Sequence, residues 1–95
     1  MVSDERRARP AERGFLEVGA DTVIRLSEVV AVVDRHVLGS AATREFLGFC
    51  RRKGQTIDLT EAQEVKSAVI CRQRIFLSPF SSATLRRRIQ SGALR

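Results

Sequence analysis

The chain has 95 residues and a formal net charge of +6, which is enough for one small domain near the lower limit for a usable hydrophobic core. Its apolar fraction of 43% is ordinary for a globular protein, but no apolar run approaches the roughly 18 residues of a membrane helix, and the N-terminus carries no signal-like apolar segment. These features exclude a membrane-spanning helix, and we expect a cytoplasmic protein that self-associates for stability.

The first part of the chain predicts a tail followed by short strands. Residues 1–13 are polar, rich in arginine and interrupted by Pro10, which is typical of a disordered tail. Strands are predicted at residues 15–18 and 22–26, on either side of a Gly-Ala-Asp turn. The nearly continuous β-branched run at 29–33 is typical of a strand that is buried on both faces or has a central position in the sheet.

A helix is predicted from Ser40 or Thr43, either of which could act as its N-cap, to about Lys53, with Gly54 directly after it. Its predicted buried face consists of Ala42, Phe46, Leu47, Phe49 and Cys50. Its basic residues, which complement the helix dipole and could also form an edge that contacts phosphate, are Arg44, Arg51, Arg52 and Lys53.

The C-terminal third predicts a hairpin followed by a basic helix. After an alternating strand at residues 55–60, residues 65–71 and 74–78 alternate with the period of two that is typical of strands. Pro79 ends the second of these strands, and Ser81 is a good N-cap for a helix. Three consecutive basic side chains fan around this helix, and they are Arg86, Arg87 and Arg88.

Together these elements predict an α+β fold: a small, mostly antiparallel sheet of about five or six strands with two short helices. The predicted domain organisation is a disordered tail at residues 1–13, a single domain at 14–90 and a C-terminal tail at 91–95. No internal repeat or low-complexity block interrupts the domain.

The positive charge is concentrated at one end of the chain. Residues 65–95 contain seven basic residues and no acidic one, whereas residues 14–64 contain six basic and eight acidic residues. A basic region of this kind is typical of proteins that bind a polyanion, most often nucleic acid. The same arginines could instead form a solvated surface or contact acidic residues of a neighbouring subunit.

No group of residues indicates an active site. The chain has one histidine, His36, no glycine-rich phosphate loop, and serines at 78, 81 and 82 that resemble a capping group more than a nucleophile. The start of the helix beside them could hold a phosphate oxygen. Cys50 and Cys71 lack metal-ligand spacing, so we interpret them as unpaired core thiols. We therefore expect a protein that is not an enzyme and has no metal, cofactor or small-molecule substrate.

Residues 67–90 carry a family resemblance. They read SAVICRQRIFLSPFSSATLRRRIQ, which resembles the C-terminal signature of the extracellular-matrix-regulator family and most closely its RemB-type branch. Upstream, the runs FLEVGADTVIRLSEVVAVVD and TREFLGFCRRKGQTIDLT are similar to the opening strands of that family and to its helix with the following strand. The resemblance covers about residues 15–90.

The resemblance implies a cytoplasmic transcriptional regulator that binds DNA and forms homo-oligomeric rings. The related RemA-type branch is similar in fold to LytTR DNA-binding domains, binds DNA through a basic outer surface, and activates genes for biofilm matrix and osmoprotection. This chain has Gln63 and Glu64 where that branch carries paired arginines, and Glu28 where it carries another. The predicted DNA-contacting residues are therefore a rearranged set: Arg86, Arg87, Arg88, Arg44, Arg51, Arg52, Lys53 and Lys66.

Two functions remain open at this point. The first is an oligomeric DNA-binding regulator of extracellular matrix or biofilm genes, in which each protomer makes a few arginine–phosphate contacts that the oligomer repeats. The second is an oligomeric interaction module that does not bind DNA and modulates a related regulator. The acid-free C-terminal third favours the first function, and the loss of arginines at Gln63 and Glu64 favours the second.

Overall fold

Six strands and three α-helices make up the part of the chain that the structure describes. The computed structural model describes residues 14–91, so the predicted tail at 1–13 and most of the predicted tail at 91–95 lie outside the described residues. The strands are β1 (Phe15–Gly19), β2 (Thr22–Arg25), β3 (Val29–Asp34), β4 (Thr56–Asp58), β5 (Ser67–Cys71) and β6 (Ile75–Ser78). The helices are α1 (Arg35–Leu38), α2 (Ala41–Arg52) and α3 (Ser82–Ser91), with a short 3-10 helix at Leu26–Glu28. None of the helices in residues 14–91 is long and apolar enough to cross a membrane.

The strands form two sheets, not the single sheet that the sequence predicts. β1 and β2 form an antiparallel hairpin, and the larger sheet has the strand order β3-β5-β6-β4. Its neighbouring strands are antiparallel except β4 and β6, which run parallel. The mixed α+β class and the mostly antiparallel pairing are confirmed. The described residues contain three α-helices rather than two, because Asp34 accepts a hydrogen bond from the His36 amide and caps the single turn of α1.

The β5–β6 hairpin at the centre of the larger sheet has the predicted alternation. Val69 pairs with Phe76, and the Cys71 amide donates to the Arg74 carbonyl at 2.9 Å across the turn. Successive side chains of a strand point to opposite faces of a sheet. Val69 and Phe76 therefore belong to one core, whereas Ile75 belongs to another.

Two hydrophobic cores lie on opposite faces of the four-stranded sheet. The first core is covered by the β1–β2 hairpin and α3, and its buried residues are Leu16, Val18, Leu26, Leu59, Val69, Cys71, Phe76 and Leu85. The second core is covered by α1 and α2, and its buried residues are Cys50, Ala68, Ile75 and Leu77. The molecule therefore has three layers with the four-stranded sheet in the middle.

β3 lies at an edge of the sheet, so the prediction of a central, fully buried strand is wrong. Its only sheet neighbour within residues 14–91 is β5. A register shift lies between Val29 and Ala31, and the side chain of Val30 is 64% exposed. A β-branched run suits any pleated surface that is at least half buried, so the composition of this run does not separate an edge strand from a central one.

α2 is capped as predicted, but part of its predicted buried face is exposed. The hydroxyl of Ser40, the N-cap, accepts from the backbone amide three residues later at 3.2 Å. Cys50 is buried, whereas Ala42, Phe46 and Phe49 are exposed. A helix on a sheet buries one stripe of its surface, and the two phenylalanines lie beside the stripe that Cys50 occupies.

The Ser-Pro-Phe-Ser-Ser segment between β6 and α3 is a hydrogen-bonded joint. Ser78 Oγ donates to the Val18 carbonyl at 2.6 Å and accepts from the Phe80 amide at 3.0 Å. The hydroxyl of Ser81 accepts from the Thr84 amide at 3.1 Å, which confirms Ser81 as the N-cap of α3. These bonds fix the start of α3 relative to both β6 and the β1–β2 hairpin.

Candidate nucleic-acid interface

A hydrogen bond between α3 and β3 sets the position of the helix that carries three predicted DNA contacts. Ser82, in the first turn of α3, donates from Oγ to Asp34 Oδ1 at 2.9 Å. The His36 amide donates to the other carboxylate oxygen of Asp34 at 2.9 Å. The bond from the His36 amide, and next the bond from Ser82, hold the pKa of Asp34 below its usual value. The ionised carboxylate therefore lies where the start of α3 could otherwise attract a phosphate oxygen.

The three arginines of α3 have three different environments. Arg86 Nη2 donates to the Val32 carbonyl at 3.0 Å and so covers part of the free edge of β3. The guanidinium of Arg88 lies 4.9 Å from the centroid of the Phe80 ring, and its Nη1 is buried without a hydrogen-bond partner. Arg87 is exposed. Two of the three guanidinium groups are therefore held against the protein, and the third extends into solvent.

The basic residues of α2 are brought together on the other side of the sheet from α3. Arg51 and Arg52 form the last turn, Arg44 is exposed two turns earlier, and Lys53 Nζ lies 5.4 Å from the centroid of the Phe49 ring. α2 covers the second core and α3 covers the first. One face of a protomer therefore does not present both groups of predicted DNA contacts.

One charge of the α2 group is partly balanced within the protomer. Asp58, at the end of β4, accepts hydrogen bonds from the hydroxyl and the amide of Thr60. These two bonds lower the pKa of Asp58, and the positive charge of Arg51 acts in the same direction. Asp58 is therefore ionised at neutral pH and attracts Arg51.

Lys66 lies at the end of the sheet where β3 gives way to α1. It lines an open cleft of about 330 Å³ together with Arg35, His36 and Ser81. Arg35 Nη1 forms an ion pair with Glu64 Oε2 at 3.1 Å, and both side chains are about half exposed or more. This corner of the molecule is therefore an ion-paired surface and not a purely basic one.

A second basic group, which is not among the predicted DNA contacts, lies at the β5–β6 turn. Arg72 and Arg74 are exposed there, and Arg25, at the end of β2, lines the same cleft as Arg74. Within residues 14–91 none of the three has an ion pair or a side-chain hydrogen bond. The acid-free stretch after residue 64 pointed to two of these arginines. The place of Arg25 depends on how the β1–β2 hairpin packs on the sheet, which the local pattern does not encode.

The two cysteines are buried free thiols that belong to different cores, as expected of core thiols. Burial, and next the negative charge of Glu28, raises the pKa of Cys71 to about 11. The Cys71 thiol is therefore protonated at neutral pH and is a poor nucleophile. Within residues 14–91 no cluster of histidine, cysteine and acidic side chains could hold a metal ion.

Comparison with known proteins assigns most of the described residues to one family model. The model is described as RemA-like, extracellular matrix regulatory protein A-like, and it matches residues 15–89. No curated protein matches the chain. The matched range includes both sheets, all three helices up to Ile89, and every basic group described above.

Proposed function

The chain belongs to the RemA-like family of extracellular matrix regulatory proteins, and from this premise we propose that it is an oligomeric, DNA-binding transcriptional regulator of extracellular matrix or biofilm genes. Within the family we propose the RemB-type branch, a LytTR-like fold and a cytoplasmic location. The proposed activity is binding, not catalysis.

The observation that carries the proposal is a basic segment with no acidic residue of its own. Residues 65–91 contain six basic residues and no acidic one, and three of the six lie on α3. Each arginine that contacts a phosphate releases counterions from DNA, so such a segment gains affinity for a duplex of any sequence. A carboxylate within it would repel the phosphates, and its absence is the pattern that a phosphate contact favours.

We assign the main contact to the three arginines of α3. The contacts with Val32 and Phe80 already restrict the side chains of Arg86 and Arg88, so less conformational entropy is lost when they bind a phosphate. A guanidinium has five N–H donors, and the single bond to Val32 leaves others of Arg86 for DNA. Additional contacts, which a second DNA segment would reach, are assigned to Arg44, Arg51, Arg52 and Lys53. A further contact is assigned to Lys66, which lies near the start of α3.

Exposed apolar side chains on both outer layers support self-association. Phe15 and Val23, on the outer face of the β1–β2 hairpin, and Phe46 and Phe49, on α2, are each between 45% and 50% exposed. The hairpin and α2 cover opposite faces of the central sheet. A contact between two different surfaces is head-to-tail, and head-to-tail contacts close into rings when the rotation permits. A ring would repeat α3, so that weak phosphate contacts reinforce one another.

Binding of a random-sequence duplex over a salt series tests the proposal. Fluorescence anisotropy would compare the wild type with a triple alanine variant of α3 and with a matched variant that removes the same charge from α2. The substitutions in α3 are Arg86→Ala, Arg87→Ala and Arg88→Ala, and those in α2 are Arg44→Ala, Arg51→Ala and Arg52→Ala.

We expect the logarithm of the wild-type affinity to fall linearly with the logarithm of the salt concentration. The α3 variant should flatten this slope by about 0.9 for each lost phosphate contact, and the α2 variant should flatten it less. Equal losses from both variants would contradict the assignment to α3. A wild type without salt-dependent binding would contradict DNA binding itself.

The ion pair between Arg35 and Glu64 favours a second candidate function. The pair neutralises charge at this corner of the protomer, where the resemblance implies arginines in the RemA-type branch. This suits an oligomeric module that modulates a related regulator without binding DNA. In that case the arginines of α3 would contact acidic residues of a neighbouring subunit. The α3 variant would then dissociate into smaller species in light scattering, and the wild type would bind no duplex.

A further inference from the structure

A cleft between the end of the β1–β2 hairpin and the β5–β6 turn has the composition of a small-ligand site. We propose that it binds an organic phosphate that carries a flat ring and hydroxyl or amino groups, which is the chemistry of a mononucleotide. The cleft has a volume of about 380 Å³, within the usual range for ligand sites. Its lining includes none of the residues assigned above to the duplex contact, so the proposal does not depend on those contacts.

The floor of the cleft is apolar and part of it is aromatic. Phe76 and Cys71 are 5% and 9% exposed and belong to the first core. Ile24, from β2, is half-buried beside them. An apolar floor of this kind accepts the edge of a flat ring by removal of apolar surface from water.

Two arginines without partners lie at the rim. Arg25 comes from the end of β2 and Arg74 from the β5–β6 turn. Neither guanidinium has an ion pair or a hydrogen bond within residues 14–91, in contrast to Arg35, which is paired with Glu64. Guanidinium groups bind phosphate oxygens with two parallel N–H donors, so the rim is suited to an anionic group of the ligand.

A carboxylate and an amide at the same rim make the site more selective than a simple anion site. Glu28, at the end of the 3-10 helix, and Gln73, in the turn, line the cleft with the two arginines. Glu28 repels a bare phosphate but accepts hydrogen bonds from hydroxyl or amino groups, and Gln73 can both donate and accept. A nucleotide combines a phosphate for the arginines, hydroxyl groups for Glu28 and a ring for the apolar floor of the cleft.

The same chemistry has two sources, a free mononucleotide or a nucleotide unit of single-stranded DNA, and the experiment has an arm for each. The full chain would be titrated calorimetrically with adenosine and guanosine monophosphates, with a short single-stranded oligonucleotide, and with inorganic phosphate. The cleft variant is Arg25→Gln with Arg74→Gln. The matched control is Arg35→Gln with Arg72→Gln, which removes the same charge outside this cleft.

We expect either the mononucleotides or the oligonucleotide to bind about tenfold more tightly than inorganic phosphate. The cleft variant should weaken that binding by about tenfold or more, whereas the control should weaken it clearly less. If the cleft variant loses affinity for the mononucleotides, the ligand is a free nucleotide. If it loses affinity for the oligonucleotide alone, the ligand is single-stranded DNA. Amide chemical shifts of Gln73 and Arg74 in the wild type would move on titration, which reports the site without any substitution. The proposal is overturned if no probe binds at millimolar concentration, if inorganic phosphate binds as tightly as the nucleotides, or if both variants lose the same affinity.

Discussion

Ser82 Oγ donates a hydrogen bond to Asp34 Oδ1 across 2.9 Å, although the two residues are 48 positions apart in the chain. The same carboxylate caps α1 through the His36 amide. One side chain therefore connects the end of β3 with the first turns of α1 and α3. Since α3 carries three of the predicted DNA contacts, Asp34 fixes the position of those arginines relative to the end of β3.

Asp34→Asn should make the protein less sensitive to acid. The pKa of Asp34 is lowered in the folded state by the His36 amide and then by Ser82, so its ionised form stabilises the fold above the unfolded pKa of about 4 and that stability is lost as the pH falls through the folded pKa. Asparagine keeps an acceptor oxygen for the cap but has no charge. In urea titrations the free energy of unfolding of the wild type should exceed that of the variant most at pH 7. The difference between the two free energies should shrink as the pH falls below about 4. If the free energies of unfolding of the two proteins differ by the same amount at every pH, the carboxylate does not have this role.

Ser78→Ala should destabilise the fold because two backbone groups lose their hydrogen-bond partner. Ser78 is fully buried, and its hydroxyl serves both the Val18 carbonyl and the Phe80 amide. Removing it leaves a donor and an acceptor without partners, which costs about 1–3 kcal/mol of the free energy of unfolding. Urea denaturation would measure the loss. Ser27→Ala is the matched control, since Ser27 is exposed and its loss should stay within about 0.5 kcal/mol. Equal effects in the two variants would show that the joint contributes nothing.

The sequence predicts which residues share a face but not which element covers that face. The alternation of Val69 and Phe76 is local, so their common core was predictable. The exposure of Val30 and Phe46 depends on how distant segments pack. An apolar run has the same sequence pattern whether or not another element covers it. The hydrogen bond from Arg86 to the β3 edge also depends on the packing of distant segments. The sequence around an arginine does not indicate which distant carbonyl its side chain will contact. The charge pattern therefore located the basic segment, and only the fold showed which of its arginines are held by the protein.

Gly19→Ala and Gly48→Ala should change stability in opposite directions. Gly19 has a φ of +135°, and a Cβ there would lie 2.7 Å from Pro79 Cδ, so an alanine forces apart the β1–β2 hairpin and the start of the joint. We expect a loss of about 1–3 kcal/mol or more in the free energy of unfolding. Gly48 lies inside α2, where a Cβ meets only Arg52 Nη1 at 3.5 Å, and alanine should add about 0.5–1 kcal/mol. Thermal denaturation of both variants would test the pair, and a stable Gly19→Ala variant would show that the hairpin can move away from Pro79.

Surface substitutions should separate a head-to-tail oligomer from a symmetric one. The first variant combines Phe15→Ser with Val23→Ser on the hairpin, and the second combines Phe46→Ser with Phe49→Ser on α2. If the proposed contact joins these two surfaces, each variant alone has no complete contact and runs as a monomer of 10.6 kDa in size-exclusion chromatography with light scattering. The control is Val37→Ser. Val37 lies on α1 and is also apolar and 50% exposed, and its substitution should leave the oligomer intact.

Mixing the two variants gives the decisive result. The first variant keeps its α2 surface and the second keeps its hairpin surface, so an equimolar mixture retains one complementary pair and should form a dimer and nothing larger. In a symmetric assembly each surface binds its own copy, and each variant would already dimerise alone through the surface it retains. A wild type with a mass of 10.6 kDa at micromolar concentration would rule out both arrangements. Because the basic residues of α3 lie outside both substituted surfaces, the mixed dimer should bind DNA with fewer phosphate contacts than the wild type, and its affinity should fall less steeply with salt.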